Sequence, residues 1–291
     1  MCERDQVEDW GGRGGFDWTL NRRQFAMGGL GALAACASGP IGGEPAALKE
    51  ERVRVSTPDG VMDAFFVRPA TGRYPAILTW PDIAGLREAF EVMARRLAGQ
   101  GYAVLVVNPY YRALPAPQFR DFADFSGQGG FQKVGPWRAA LTADSIKRDA
   151  AAATAWLDAH SEVDKSRGIG THGYCMGGPF TVWTAAAVPA RVRAAASLHG
   201  GGLVRANDPQ SPHALLGQTK ARYLFAIAQD DDAKEPTVKA AIRDAAAAAG
   251  RPAEIEVYQA KHGWTVIDSP SYDAAAAERA WTRMSALFAT L

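Results

Sequence analysis

Charge of one sign is what this chain most lacks. Its 32 lysines and arginines are balanced by 31 aspartates and glutamates, and no basic stretch is dense enough to track a phosphate backbone, so nucleic acid is not an expected partner. Cysteine is scarce: three in 291 residues are too few for a disulfide framework. The five histidines lack the spacing of a zinc site, so no metal is expected, and no cofactor either. The Gly/Ala/Leu stretch at 26–35 is apolar but far shorter than the roughly 20 residues a spanning helix needs.

That stretch has a context of its own. It follows the twin arginines of Asn21-Arg22-Arg23-Gln24-Phe25 and ends in Leu33-Ala34-Ala35-Cys36, the pattern of a bacterial lipobox. Residues 1–45 are therefore expected to be an export signal and a Gly/Pro/Ser linker, with 46–291 as the folded domain. The protein is expected in the periplasm, exported by the twin-arginine route and anchored by lipid at Cys36, its only membrane contact.

Beyond the linker, short apolar runs alternate with helical spacing. Residues 52–55 and 63–67 alternate as strands around the turn Thr57-Pro58-Asp59-Gly60. Runs at 76–80, 102–107, 168–174, 194–198, 223–228 and 255–258 read as further strands. That at 102–107 has no polar alternation, as a parallel strand buried on both faces would. Helices are expected from Leu86 to Gly99, over 143–160, after Cys175, over 234–249 and at the C-terminus, where Trp281, Met284, Leu287, Phe288 and Leu291 share a face. Such alternation predicts a mostly parallel α/β sheet covered by helices on both faces, with its chemistry at the C-terminal strand ends. Periodicity fails between Asn108 and Thr142, where aromatics, Pro and Gly accumulate; this irregular insertion (109–141) is placed to line or cover a site.

Gly173-Tyr174-Cys175-Met176-Gly177-Gly178 joins a strand to a helix in a Gly-x-nucleophile-x-Gly pattern. The glycines allow a sharp turn that holds the central side chain up, and a helix N-terminus favours thiolate. Cys175 reads as a nucleophile, with the Met176 N–H as an oxyanion donor. The acidic run Asp230-Asp231-Asp232 follows a later strand and His262 follows the last one, so nucleophile, acid and base all fall at strand ends. Counting from Ala228 selects Asp231 as the acid, whereas counting back from Pro236 selects Asp232; if the segment is extended, only one of them can face His262.

These residues carry a resemblance. Gly173 to Gly178, Gly101-Tyr102 leading into 104–109, and His262-Gly263-Trp264 are together similar to the dienelactone hydrolase family of the α/β-hydrolase superfamily. The resemblance implies an α/β-hydrolase fold and a Cys175–Asp231–His262 triad acting on small esters or lactones through a thioester. It further implies that Asp82 gates the resting thiol and that the Ile83 N–H completes the oxyanion hole. Gly263-Trp264-Thr265-Val266 lacks the polar clamp that dienelactone-cleaving members use for the substrate carboxylate; Arg112 is the candidate to replace it, with Tyr110 and Trp264 as further substrate contacts. Two other classes remain open: a non-catalytic binding lipoprotein on the same scaffold, and a thiol-based redox protein, which would need a resolving cysteine. Oligomeric state is not legible.

Overall fold

The computed structural model describes residues 47–291, so the twin arginines, the lipobox and the linker lie outside the described residues. In chain order the elements are β1 (Leu48–Thr57), β2 (Gly60–Pro69), β3 (Ala76–Trp80), α1 (Glu88–Gly99), β4 (Ala103–Val107), α2 (Phe122–Gly127), α3 (Gly130–Ala139) and α4 (Ala143–Ala159). Then follow β5 (Ile169–Tyr174), α5 (Gly178–Ala187), β6 (Val192–Leu198), the single turn α6 (Pro212–Leu215), β7 (Arg222–Ala228), α7 (Gln229–Lys234), α8 (Val238–Ala248), β8 (Ala253–Tyr258) and α9 (Ala274–Phe288).

These strands form one sheet in the order β1-β2-β4-β3-β5-β6-β7-β8. β1 and β2 pair as a hairpin, β2 lies antiparallel to β4, and every later pairing is parallel. This is the mostly parallel sheet that the alternation of strands and helices predicts, in the α/β-hydrolase architecture that the resemblance implies. The hairpin strands run longer than their apolar alternation suggests, because ladder pairing continues from Thr57↔Gly60 out to Leu48↔Pro69.

The sheet is buried on both faces. In β4 every residue is buried, with Ala103, Leu105 and Val107 packing to one side and Val104 and Val106 to the other. One face is covered by α4, α5 and α8, through residues such as Ile146, Leu157, Val182 and Ile242. On the other lie α1 and α9, through Phe90, Met93, Leu97, Trp281, Met284 and Phe288. Helix boundaries follow local chemistry: Thr142 and Asp273 accept the N–H of Ser145 and Ala276 at the starts of α4 and α9.

Two segments depart from expectation. The insertion is not irregular throughout: it contains α2 and α3, the latter with Pro136 inside it, and Tyr110, Phe119, Phe122, Phe125 and Val134 of the insertion form a third small core against Ile83 and Ala84. The acidic run is not extended either but forms the short helix α7, because the chain turns straight out of β7 at Gln229, whose N–H bonds Ala260 O at 3.0 Å.

Candidate active site

The turn at Cys175 is built by close approach of three strand ends. β5 stops at Tyr174, Cys175 takes φ +52°, and a turn of 3₁₀ helix over Cys175–Gly177 leads into α5. Left-handed backbone is costly for a residue with a Cβ, and it persists only where the surroundings over-determine it. Here the glycines let them. A Cβ on Gly173 would sit 2.0 Å from Gly177 O, and one on Gly177 would sit 2.5 Å from Trp80 O and 2.6 Å from Pro81 O. On Gly178 it would meet Gly200 Cα at 2.4 Å. The elbow is thus packed backbone to backbone against the ends of β3 and β6.

His262 comes from the loop after β8, and α7 holds it twice. Its backbone N–H donates to Asp230 Oδ1 at 2.9 Å, and its Nδ1 lies 2.7 Å from Asp231 Oδ2. Asp232 turns away to Lys239 Nζ at 2.7 Å, so of the two acids that the sequence leaves open, Asp231 is the one on the histidine. Successive side chains on a helix diverge by about 100°, which separates the neighbours as firmly as an extended segment would. Asp230 is a site residue that sequence reasoning passed over, although the run of three aspartates marked its position.

Cys175, Met176 and His262 line one cavity of about 210 Å³. Leu141, Phe180 and Trp183 give it apolar walls, and Arg138 and Arg205 bring two guanidinium groups to it. Arg138 belongs to α3, so the insertion does reach the site. Arg205 lies over the Trp183 ring at 5.1 Å and 3.3 Å from Asp208 Oδ2. Neither arginine was expected here; only Arg138's place beside Trp137 in the aromatic insertion hinted at it.

The three expected substrate contacts lie elsewhere. Arg112 is held by Asp149, at 2.7 and 2.9 Å, and by Asp59 at 2.6 Å, which commits its guanidinium away from the cavity. Trp264 is fully buried, stacked on Tyr258 at 5.1 Å and edge-on to His199 at 5.3 Å. Tyr110 is buried too, its hydroxyl donating to Ile83 O at 2.8 Å.

Asp82 also has a different neighbourhood from the expected one. Both its carboxylate oxygens are gripped by Arg87, at 2.7 and 3.0 Å, and Oδ1 accepts the N–H of Ala84. Arg87 in turn holds Asp268 at 2.6 and 2.7 Å, and Asp268 Oδ2 accepts the N–H of Phe122 at 3.0 Å. This buried cluster ties together the turn that carries Ile83, the insertion and the loop beyond His262. Burial raises the Asp82 carboxyl above its usual range despite the pull of Arg87. Burial opposes the charge on Arg87, but the two carboxylates outweigh it and hold the guanidinium firmly protonated.

His199, at the end of β6, takes φ +41° and packs edge-on to His262, with ring centroids 4.8 Å apart. Its Nε2 pairs with Thr265 Oγ1 at 2.9 Å. Burial first, and the neighbouring His262 second, push its pKa well below the ordinary value, so it stays neutral beside the base. His172 is a core residue, held by Thr79 and Tyr174 and lowered by burial to about 3.

Comparison with known proteins bears on the family and the fold. The model of the dienelactone hydrolase family matches residues 62–291. The chain belongs to that family. A Methylorubrum extorquens protein that carries the name carboxymethylenebutenolidase is 29% identical over 261 residues, covering 88% of this chain and 83% of its own. A crystal structure named for dienelactone hydrolase, from Klebsiella pneumoniae, superimposes with a TM-score of 0.70 at 24% identity, over 84% of this chain and all of its own. A metagenomic dienelactone hydrolase-like phosphotriesterase, P91, gives a TM-score of 0.65 at 25% identity, over 84% and 98%. This dienelactone hydrolase-family chain is therefore a hydrolase built on the α/β-hydrolase fold.

Proposed function

We propose that the enzyme cleaves small esters or lactones by acyl transfer to Cys175. The observation that carries this reading is the 2.7 Å contact from Asp231 to His262, on a histidine that shares one cavity with Cys175. His262 takes the proton of the Cys175 thiol and, with the N-terminus of α5, favours the thiolate, whose sulfur attacks the ester carbonyl carbon. The carbonyl oxygen becomes an oxyanion facing the N–H groups of Met176 and Ile83. When the tetrahedral adduct collapses, the C–O bond breaks and the leaving alkoxide takes a proton from His262; in a lactone it stays tethered as the ring opens. His262 then removes a proton from water, the hydroxide attacks the thioester, and the C–S bond breaks to return the thiolate and release the acid. Asp231 fixes the histidine tautomer and offsets the imidazolium charge.

The cavity also narrows the substrate. Two guanidinium groups and three apolar walls in about 210 Å³ suit a compact ester whose far end carries an anion. The anion-binding role expected of Arg112 thus passes to Arg138 and Arg205. Hydrolysis of a chromogenic short-chain ester by the reduced enzyme, lost in Cys175→Ala, tests the reading. A variant that keeps full turnover refutes the cysteine nucleophile, and thiol-dependent peroxide reduction in place of esterase activity would favour a redox protein. We further propose export by the twin-arginine route and a lipid anchor at Cys36, supported by the sequence of the first 36 residues. Fractionation of wild type and Cys36→Ala tests it: if both are soluble in the periplasm, there is no anchor.

A further inference from the structure

The oxyanion hole in this reading is assembled from two separate loops. Ile83 sits in the turn after β3, and Met176 follows the nucleophile after β5. Catalysis by such a hole requires the two N–H groups to be set before the reaction begins, because donors that must be reoriented during the step lose most of their advantage. One side chain touches both loops. The Tyr110 hydroxyl, in the loop after β4, lies 2.8 Å from Ile83 O and 3.3 Å from Met176 Sδ.

Tyr110 is itself held in place. Its backbone N–H donates to Asn108 Oδ1 at 2.9 Å, and Asn108 Nδ2 reaches Asp63 Oδ1 and Leu114 O, both at 2.8 Å. The Tyr110 ring packs edge-on against Trp137 at 5.5 Å, and the residue is 1% exposed. The Ile83 turn is braced from its other side by the Asp82 contacts to Ala84 N and Arg87. Gly177 backs onto Trp80 O and Pro81 O at the root of this turn, and farther out the phenol spans the gap between Ile83 and Met176. Burial raises the phenol well above its ordinary pKa, so the hydroxyl keeps its proton over the working range.

We propose that Tyr110 is a positioning residue of the oxyanion hole, its hydroxyl setting the Ile83 and Met176 loops at the separation their N–H groups need. This rests on the esterase reading above and differs from the substrate contact that sequence alone suggests for Tyr110. A hydroxyl that only sets geometry acts on the transition state and leaves ground-state binding alone.

The test is Tyr110→Phe, which removes the hydroxyl and keeps the ring, assayed reduced beside wild type on 4-nitrophenyl acetate. kcat should fall by roughly ten- to a hundredfold, as small misplacements at reacting groups do, with KM within about twofold. Affinity for a trifluoromethyl ketone, whose adduct with the thiol carries an oxyanion, should fall by a similar factor, and alkylation of Cys175 by iodoacetamide should be unchanged. An unchanged kcat, a rise in KM alone, or an alkylation rate that falls with kcat would each overturn the proposal. Inactive wild-type enzyme would overturn the esterase reading and this inference with it. Should Tyr110→Phe not fold, Met176→Leu removes the sulfur contact at similar volume: the proposal requires a lower kcat at constant KM, and wild-type turnover contradicts it.

Discussion

Replacing Arg87 by methionine removes the cation that, among the described residues, holds both Asp82 and Asp268, and leaves two buried carboxylates facing each other. Arg87 is fully buried, and the side chains of Asp82 and Asp268 are 4% and 1% exposed, so water cannot replace it. Removing one partner of a buried pair costs about 3–5 kcal/mol, because the charge left behind is uncompensated. Taking about 4 kcal/mol, and about 2–4 °C per kcal/mol for a domain of this size, the melting midpoint should fall by roughly 8–16 °C. The deficit should depend on pH. Burial already raises the Asp82 carboxyl against the pull of Arg87, and without that pull it rises further. A raised acid binds more protons folded than unfolded, so its contribution to stability declines as pH climbs above the ordinary carboxylate range. The variant should thus lose more at about pH 8 than at about pH 5. Calorimetric melts of both proteins at the two pH values measure this, and Arg87→Met/Asp82→Asn/Asp268→Asn should recover part of the loss. A drop below about 3 °C that is the same at both pH values would refute the reasoning.

Asp231→Asn should lower turnover by at least roughly a hundredfold through the wrong histidine tautomer, whereas Asp232→Asn, which loses only a contact to Lys239, should cost little; steady-state kinetics that reverse the ranking would move the triad acid. Arg138→Gln and Arg205→Gln should each reduce kcat/KM for 4-nitrophenyl hemisuccinate by about tenfold and leave 4-nitrophenyl acetate nearly unaffected, with the difference shrinking in high salt; equal effects on the two esters would remove the anion from the substrate. Gly177→Ala should abolish turnover and lower the melting midpoint, since its Cβ would lie 2.5 Å from Trp80 O and no flexible side chain is there to yield. A stable, active Gly177→Ala enzyme would mean that the elbow is looser than its contacts imply.

What was legible in the sequence is what short-range pattern encodes. The unbroken apolar run of β4, the glycines around Cys175 and the order cysteine, aspartate, histidine each follow from local backbone or side-chain requirements. Asp231 and Asp232 could not be separated by counting, because the choice depends on how α7 leaves β7. The substrate residues were misplaced for a related reason. Arg112 lies one residue from a tyrosine at the end of a central strand, yet its direction is set by Asp59 and Asp149, 53 and 37 residues away. Arg87 carries no local signal of its role, and only the fold brings Asp268, 181 residues distant, onto it. The helices of the insertion were hidden by their glycines and by Pro136, which weaken any helical pattern while the aromatic packing holds it together.

The central claim is that an acyl group passes through the sulfur of Cys175. The direct measurement mixes reduced enzyme with 4-nitrophenyl acetate, quenches in acid during turnover and records intact and peptide masses; His262→Gln is run beside it to slow hydrolysis of the thioester. The account predicts one acetyl group per chain, on the peptide containing Cys175 and absent from Cys175→Ala. Turnover with no adduct, or with the acetyl group on another residue, would contradict it.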